Sequence, residues 1–495
     1  MLTEPAVRAT VAALVVALGA LACGGGVPPA ATTTSTGDGA VVDAAALDAA
    51  LTPYLESYGQ VRGEAAALSG YVLVRKGDRT LYGRGFGRSD RARGELPGPD
   101  TSFRIGSTSK QFTAAAILVL VQDGVLELEA PVSRYLPEYP AVGADITLLQ
   151  LLSHTGGLPE YLQAFAPEDF ARPHTTAELL ATFWELPLDF APGTAWSYSN
   201  SGYLVLGAII ERVTGTPYAE VMRTRVFTPA GLTDTTVGDA EAALDRAIGY
   251  RPVDGALVPA LPIDMSVPFA AGAVRSTAND LARWHHVLQT DVLLSAASRQ
   301  RLTTEVRDGY ALGWFVGTTK GHATVDHGGN IPGFNTGYAR IPELDLVVVA
   351  WSNNEAVSGE VIADAALAAA LGETPTPVVE RAVVALDLAA AARLAGTYVL
   401  DEASRAAATK LGVSAETITT IERIVFAIDD ADGAPPALTM KPIGQDLVRL
   451  AALNATTYEL DEMGVEVRFE LPADGAATAA TVLQGPLTLR YQRQP

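Results

Sequence analysis

Apolar and polar positions fall into three successive textures along the chain. Short alternating runs at Gly70–Arg75 and Thr80–Gly87, joined by Lys76-Gly77-Asp78, predict a β-hairpin. Apolar residues then recur with helical spacing over Ser107–Gln122, Thr175–Trp184, Asn200–Val213 and Thr277–Leu288, so helices dominate the middle. Strand-like runs return at Ala311–Val316, Ala323–Asp326, Gly337–Ile341 and Leu346–Ser352, before an Ala-rich helix over Glu360–Leu371. A sheet assembled from both ends of this region, with a helical insert between them, is the economical arrangement.

Pro and Thr rise around Glu373–Pro377, and beyond them the texture turns to alternating strands. Val465, Val467, Phe469 and Leu471 fall on one face and Glu466, Arg468 and Glu470 on the other; Leu487, Leu489 and Tyr491 repeat the pattern. Residues 381–495 are expected to form a small β-rich domain behind a linker at 373–380, with Glu402–Leu411 as a helical insertion. No internal repeat is visible.

The N-terminus has a different character. An apolar stretch from Ala9 to Ala22 precedes Cys23 and three glycines, too short to span a bilayer comfortably and patterned like an export signal. Ala20-Leu21-Ala22-Cys23 resembles a bacterial lipobox, whose cysteine is lipidated. Residues 1–23 are therefore expected to be a signal and the protein to be exported, periplasmic or in the cell envelope, lipid-anchored at Cys23. Plain secretion and an uncleaved anchor are the alternatives. Residues 24–42 lack the large apolar groups that would order them and read as a tether.

Composition narrows the function classes. With 495 residues, 48% of them apolar and 18% charged, the chain can bury more than one core. A net charge of -21 with no Lys/Arg-rich run argues against nucleic acid as a partner. Cys23 is the only cysteine, so an intramolecular disulfide is impossible and neither Cys-ligated zinc nor thiol catalysis has support.

Three segments carry candidate chemistry. Ser107-Thr108-Ser109-Lys110 enters an apolar helix and puts a hydroxyl and an amine one turn apart, on one face. A serine becomes nucleophilic when a base takes its proton, and a buried lysine can be that base; alone, the same residues also read as a helix cap and a solvated cation. Tyr198-Ser199-Asn200 can present a phenol and an amide on one face of an extended segment, to pass protons and to contact a substrate amide; it also reads as a turn residue and a half-buried aromatic. Asp326-His327-Gly328-Gly329-Asn330 puts two glycines in a strand, as suits close approach of a ligand to the backbone, with His327 as a switchable cation or donor; His-Gly-Gly is also a common turn. His285-His286 on an amphipathic helix reads as surface and packing rather than a metal site, and no cofactor motif is present.

Ser107-x-x-Lys110, Tyr198-x-Asn200 and His327-Gly-Gly, in that order, resemble the signature motifs of the serine β-lactamase and penicillin-binding protein superfamily, in its branch of class C β-lactamases, DD-carboxypeptidases and related esterases. Leu151–Leu158, Pro192–Gly215, Arg275–Leu281 and Gly309–Trp314 support the likeness. The resemblance implies an α/β (α+β) fold over 43–372, with an antiparallel sheet flanked by helices and a helical subdomain. It makes Ser107 the nucleophile, Lys110 and Tyr198 the proton-transfer pair, and Asn200 a substrate contact. His327, Gly328, Gly329 and Asn330 become the substrate-binding edge, and the backbone N–H groups of Ser107 and Asn330 the oxyanion hole.

No cofactor or metal is implied. His327 and Gly328 stand where the family's β-lactamases carry lysine and a hydroxyl residue, a change that favours peptidase or esterase work. The implied activity is acyl-enzyme hydrolysis of an amide or ester in a small molecule or peptide, such as a D-amino-acid peptide from peptidoglycan. A β-lactamase, or a non-catalytic binding protein of the envelope, is the alternative. Leu394-Ala395-Gly396-Thr397-Tyr398 and the strands after it resemble the lipocalin-like domain appended to some members, a small β-barrel.

Overall fold

The computed structural model describes residues 41–494 except 240–245, 254, 379–382, 411–417, 420, 431–434, 443–446, 461–464 and 485–486. The expected signal, Cys23 and almost all of the tether lie outside the described residues. The chain divides into two compact units between Val379 and Glu380.

The first unit is built on a six-stranded antiparallel sheet. Its strands are β1 (Gly70–Lys76), β2 (Arg79–Phe86), β3 (Phe315–Thr319), β4 (His322–Ile331), β5 (Phe334–Ile341) and β6 (Leu346–Ser352), in spatial order β2-β1-β6-β5-β4-β3. Both ends of the region thus meet in one sheet, and the helical insert runs between β2 and β3. The seven residues of β6 form a continuous buried run, as befits a strand covered on both faces. Tyr71 and Leu73 join Val347, Val349 and Trp351 in one core, while Val72 and Val74 join Val348 and Ala350 in the other.

Five helices matter to the site: α1 (Ala44–Arg62), α2 (Lys110–Gln122), α3 (Asn200–Thr214), α4 (Ala278–Val287) and α5 (Gly359–Ala370). Helices α1 and α5 cover one face of the sheet through Leu47, Leu51, Ile362 and Ala366. Asp43 and Ser358 begin them by accepting a backbone N–H with their side chains. Helix α2 is the hub of the other core. Every residue from Lys110 to Leu120 is buried, so this helix meets solvent only at its C-terminal end.

One expected strand is displaced. Residues Ala311 to Trp314 form a turn rather than the start of a strand over 311–316, because Gly313 sits at φ 76° and the Ala311 N–H bonds back to the Trp314 carbonyl; β3 begins only at Phe315. The expected helix over 107–122 also starts differently, as a 3-10 turn over Gly106–Ser109 leading into α2.

The second unit is a closed barrel of eight strands in chain order: β7 (Gly396–Leu400), β8 (Arg423–Asp429), β9 (Ala437–Pro442), β10 (Val448–Ala452), β11 (Thr457–Leu460), β12 (Val465–Glu470), β13 (Ala479–Gln484) and β14 (Leu487–Arg493). Pairing of β7 with β14 closes the ring and removes both sheet edges. The helix Glu402–Lys410 interrupts the meander between β7 and β8. Tyr398, Phe426, Tyr458 and Phe469 meet edge to face in its core, their ring centroids 4.8 to 5.8 Å apart.

Candidate active site

Ser107 is carried on the 3-10 turn that feeds α2. In a 3-10 turn residues i and i+3 eclipse one another, so the Ser107 hydroxyl stacks with the Lys110 side chain. From Ile105 to Leu120 every residue is buried except Ser107, which is partly exposed. A single accessible hydroxyl therefore stands at the head of an otherwise inaccessible helix.

Two glycines press this turn against β4. A Cβ on Gly106, which sits at φ 51°, would lie 2.9 Å from the Asn330 backbone nitrogen, and one on Gly329 would lie 1.9 Å from the Ile105 carbonyl oxygen. Gly328 faces the opposite way, where a Cβ would meet Glu360 of α5 at 2.4 Å. The glycines of β4 thus admit the protein's own backbone and helix, whereas the sequence had pointed to a ligand. Strand β3 pairs with β4 only as far as Asp326, leaving the edge from His327 to Ile331 beyond the end of β3. The two-residue turn Pro332–Gly333 sets the β4–β5 register, with Phe334 opposite Ile331. Counting from that turn, residues 328 and 330 direct their backbone groups away from β5, toward this open edge.

The Lys110 amine is fully buried, with Ser107 Oγ at 3.2 Å, Asn200 Oδ1 at 2.7 Å and the Ala271 carbonyl oxygen at 2.9 Å among its contacts. The latter two oxygens only accept, so two N–H bonds of the amine point at them. The third direction faces the serine hydroxyl, where a neutral amine has its lone pair. Such an amine can take the hydroxyl proton.

The phenol ring of Tyr198 closes the other side, its centroid 4.8 Å from Lys110 Nζ. Tyr198 lies in a segment without regular secondary structure, and Asn200 is already the first residue of α3. Tyr198 and Asn200 therefore reach Lys110 across the start of a helix rather than from one extended segment. Ser107, Lys110, Tyr198 and Asn200 are brought together in one cluster.

Glu160, which the sequence did not single out, orients Asn200. Its Oε2 accepts from the Asn200 backbone N–H at 2.8 Å and from Asn200 Nδ2 at 3.2 Å. Because a carboxylate oxygen only accepts, the amide nitrogen turns toward Glu160 and Oδ1 toward Lys110. Burial pushes the Glu160 carboxyl up, against the hydrogen bonds from Asn200 and Leu162 that favour its ionised form.

His327 is expected from the sequence to offer the substrate a switchable cation or a hydrogen-bond donor. The ring is 1% exposed, Nε2 lies 3.1 Å from the Tyr310 hydroxyl, and Nδ1 bonds the Gly328 carbonyl oxygen. That carbonyl fixes the hydrogen on Nδ1, so Nε2 accepts from Tyr310. Burial lowers the His327 pKa to about 3, and a proton on Lys110 pushes the same way. The imidazole is a neutral, internally bonded part of the wall. Asn330 is exposed, with Nδ2 bonded to Asn335 Oδ1 at 2.9 Å.

Among the described residues no group of three or more His, Cys, Asp or Glu could hold a metal ion. His285 is buried, with Nε2 3.0 Å from Asp345 Oδ1. No helix among the described residues is long and apolar enough to cross a membrane.

A family model described as Beta-lactamase matches residues 47–373. The chain belongs to that family. Among relatives in the β-lactamase family, a penicillin-binding protein of Bacillus subtilis (strain 168) is 28% identical over 452 residues, covering 86% of this chain and 94% of that protein. Esterase EstB of Burkholderia gladioli is 35% identical over 215 residues, 40% of this chain and 54% of the esterase. The D-amino acid amidase of Ochrobactrum anthropi SV3, solved with D-phenylalanine, superposes with a TM-score of 0.58 at 25% identity, covering 65% of this chain and 98% of the amidase. The protein is accordingly a serine hydrolase of the β-lactamase family, with an eight-stranded barrel following the family's fold.

Proposed function

We propose that the protein hydrolyses amides or esters through an acyl-enzyme on Ser107, with D-amino-acid amides and simple esters as the substrate classes. The observation that carries this reading is the Lys110 amine, held between Asn200 Oδ1 and the Ala271 carbonyl with its third direction on Ser107 Oγ. Lys110 takes the hydroxyl proton as Ser107 attacks the substrate carbonyl. Tyr198, beside the amine, relays the proton to the leaving group. The backbone N–H groups of Ser107 and Asn330 hold the oxyanion.

Water then releases the acid by the same route in reverse. Asn200 offers its amide to the substrate, and the open edge of β4 at Gly328–Asn330 offers its backbone.

The neutral state of His327 shapes the substrate preference. A β-lactam or a peptide C-terminus brings a carboxylate, and an imidazole whose two nitrogens are both engaged within the protein supplies no cation to hold it. Amides and esters without that carboxylate lose nothing at such a site. Among proteins similar to this one, the names of an amidase and an esterase state an amide and an ester as substrate classes. Residues 1–23 and Cys23 add the proposal that the protein works in the cell envelope, on peptidoglycan-derived or small-molecule substrates.

A panel of p-nitrophenyl esters, D-amino-acid amides, D-Ala-D-Ala peptides and nitrocefin tests the reading. Turnover of the first two above the last two is the expected result, lost in Ser107→Ala. Nitrocefin turning over fastest would overturn the substrate assignment. An absence of turnover across the panel would favour a binding protein.

A further inference from the structure

The proton relay proposed above needs Tyr198 to stay beside Lys110, yet Tyr198 lies in a segment with no regular secondary structure. What holds it is a histidine 44 positions earlier in the chain. The His154 carbonyl accepts the Ser197 N–H at 3.0 Å, and its Nδ1 accepts the Ser199 N–H at 3.1 Å. One residue thus bonds the backbone on both sides of Tyr198. Its ring also packs on the phenol, with centroids 4.3 Å apart.

His154 is itself fixed. It is 3% exposed, and its ring lies 4.6 Å from that of Tyr310 and 5.3 Å from that of Tyr203. Its backbone occupies the left-handed region at φ 58°, a conformation that costs a non-glycine residue about 1–2 kcal/mol and persists only where the surroundings impose it. The helix before it ends at Leu152, and Thr155 is bonded on both sides, to Gln150 and Gly193. The left-handed turn lets one residue aim its carbonyl and its Nδ1 at the same neighbouring segment. Because Nδ1 accepts, the ring hydrogen is on Nε2 and the imidazole is neutral.

We infer that His154 is a positioning residue for the hydrolysis: its carbonyl and Nδ1 clamp the 197–199 backbone so that the Tyr198 phenol stays within proton-passing reach of Lys110. The inference rests on the reading of Ser107, Lys110 and Tyr198 given above. It assigns His154 no contact with the substrate and no proton transfer of its own.

Asparagine is the discriminating replacement, since it tolerates the left-handed region and its Oδ1 can accept where Nδ1 did. Alanine removes the acceptor and the ring. On a p-nitrophenyl ester, His154→Ala is expected to lower kcat by on the order of 10- to 100-fold, the scale of a misplaced catalytic group, with KM little changed. His154→Asn should regain most of that loss. In a crystal structure of His154→Ala the phenol should have left its place beside Lys110.

Should His154→Ala not fold, His154→Phe, which keeps a ring and drops the acceptor, replaces it in the comparison. Alanine and asparagine variants that both keep the parent kcat would overturn the inference, as would equal losses in the two. Tyr198 unmoved in the alanine structure would overturn it as well, even if the parent protein turned over none of the esters; that last result would count against the functional reading instead.

Discussion

Lys110 Nζ lies closer to Asn200 Oδ1, at 2.7 Å, than to the Ser107 Oγ it faces, at 3.2 Å. The amine is thus anchored by an amide 90 positions away in the chain, with the nucleophile on another side of it. Whatever orients that amide controls the base.

Glu160 does so through two hydrogen bonds, and its removal is expected to weaken catalysis without touching the serine. Glu160→Leu leaves the Asn200 amide free to turn its nitrogen toward Lys110. A loss of about 10- to 100-fold in kcat on an ester substrate is expected, the scale of a misplaced catalytic group. Glu160→Gln retains an accepting oxygen and should lose less. Steady-state kinetics on the two variants check the ordering, and equal losses would argue that charge rather than amide orientation matters.

The contact between the nucleophile turn and β4 is a backbone contact, so it should tolerate no side chain. Gly329→Ala drives a Cβ to 1.9 Å from the Ile105 carbonyl oxygen, and a cost of about 1–3 kcal/mol is expected for such overpacking. Esterase activity should fall with it as the turn carrying Ser107 shifts. Gly328→Ala meets the carboxylate end of Glu360, a flexible side chain, and should cost less. Thermal melts and ester hydrolysis of the two variants make the comparison.

Behind β4, burial first and the charge of Asp364 second push the Asp326 carboxyl up to about 8. Glu360 is raised well above its ordinary range and Asp364 to about 6, mainly by burial. The folded protein therefore keeps a proton on Asp326 that the unfolded chain releases near 4. Stability from this group is fully present below that value and is lost as the pH rises through about 8. Asp326→Asn removes the titration, so the variant should gain melting temperature over the parent near pH 9, and progressively less as the pH falls toward 4. Melting curves across that range give the answer.

Much of the fold is legible in the chain because its strands and helices are strongly patterned. The seven-residue run Leu346–Ser352 coincides with β6 at both ends, since burial on both faces leaves Ser352, at its end, as its one polar residue. Asn200–Val213 comes within one residue of α3. The strand expected from Ala311 failed where Gly313 takes a left-handed turn that apolar neighbours conceal.

The candidate site was legible only in part. Ser107, Lys110, Tyr198 and Asn200 belong to short patterns with recognisable spacing. Glu160 does not: it is a lone acid in Leu158-Pro159-Glu160-Tyr161, and its partner lies 40 positions on. The only local sign was a charged residue inside an otherwise apolar stretch. The state of His327 was equally hidden, because it depends on Tyr310 and on burial rather than on the Gly-Gly that follows it.

The proposed chemistry needs one accessible hydroxyl at the head of a buried helix, activated by the amine beneath it. Treatment with a labelled fluorophosphonate, followed by proteolysis and peptide mass mapping, tests that most directly. One adduct per chain, located on Ser107 and absent from both Ser107→Ala and Lys110→Ala, is predicted. An adduct on another residue, or none on a protein that still hydrolyses its substrate, would contradict it.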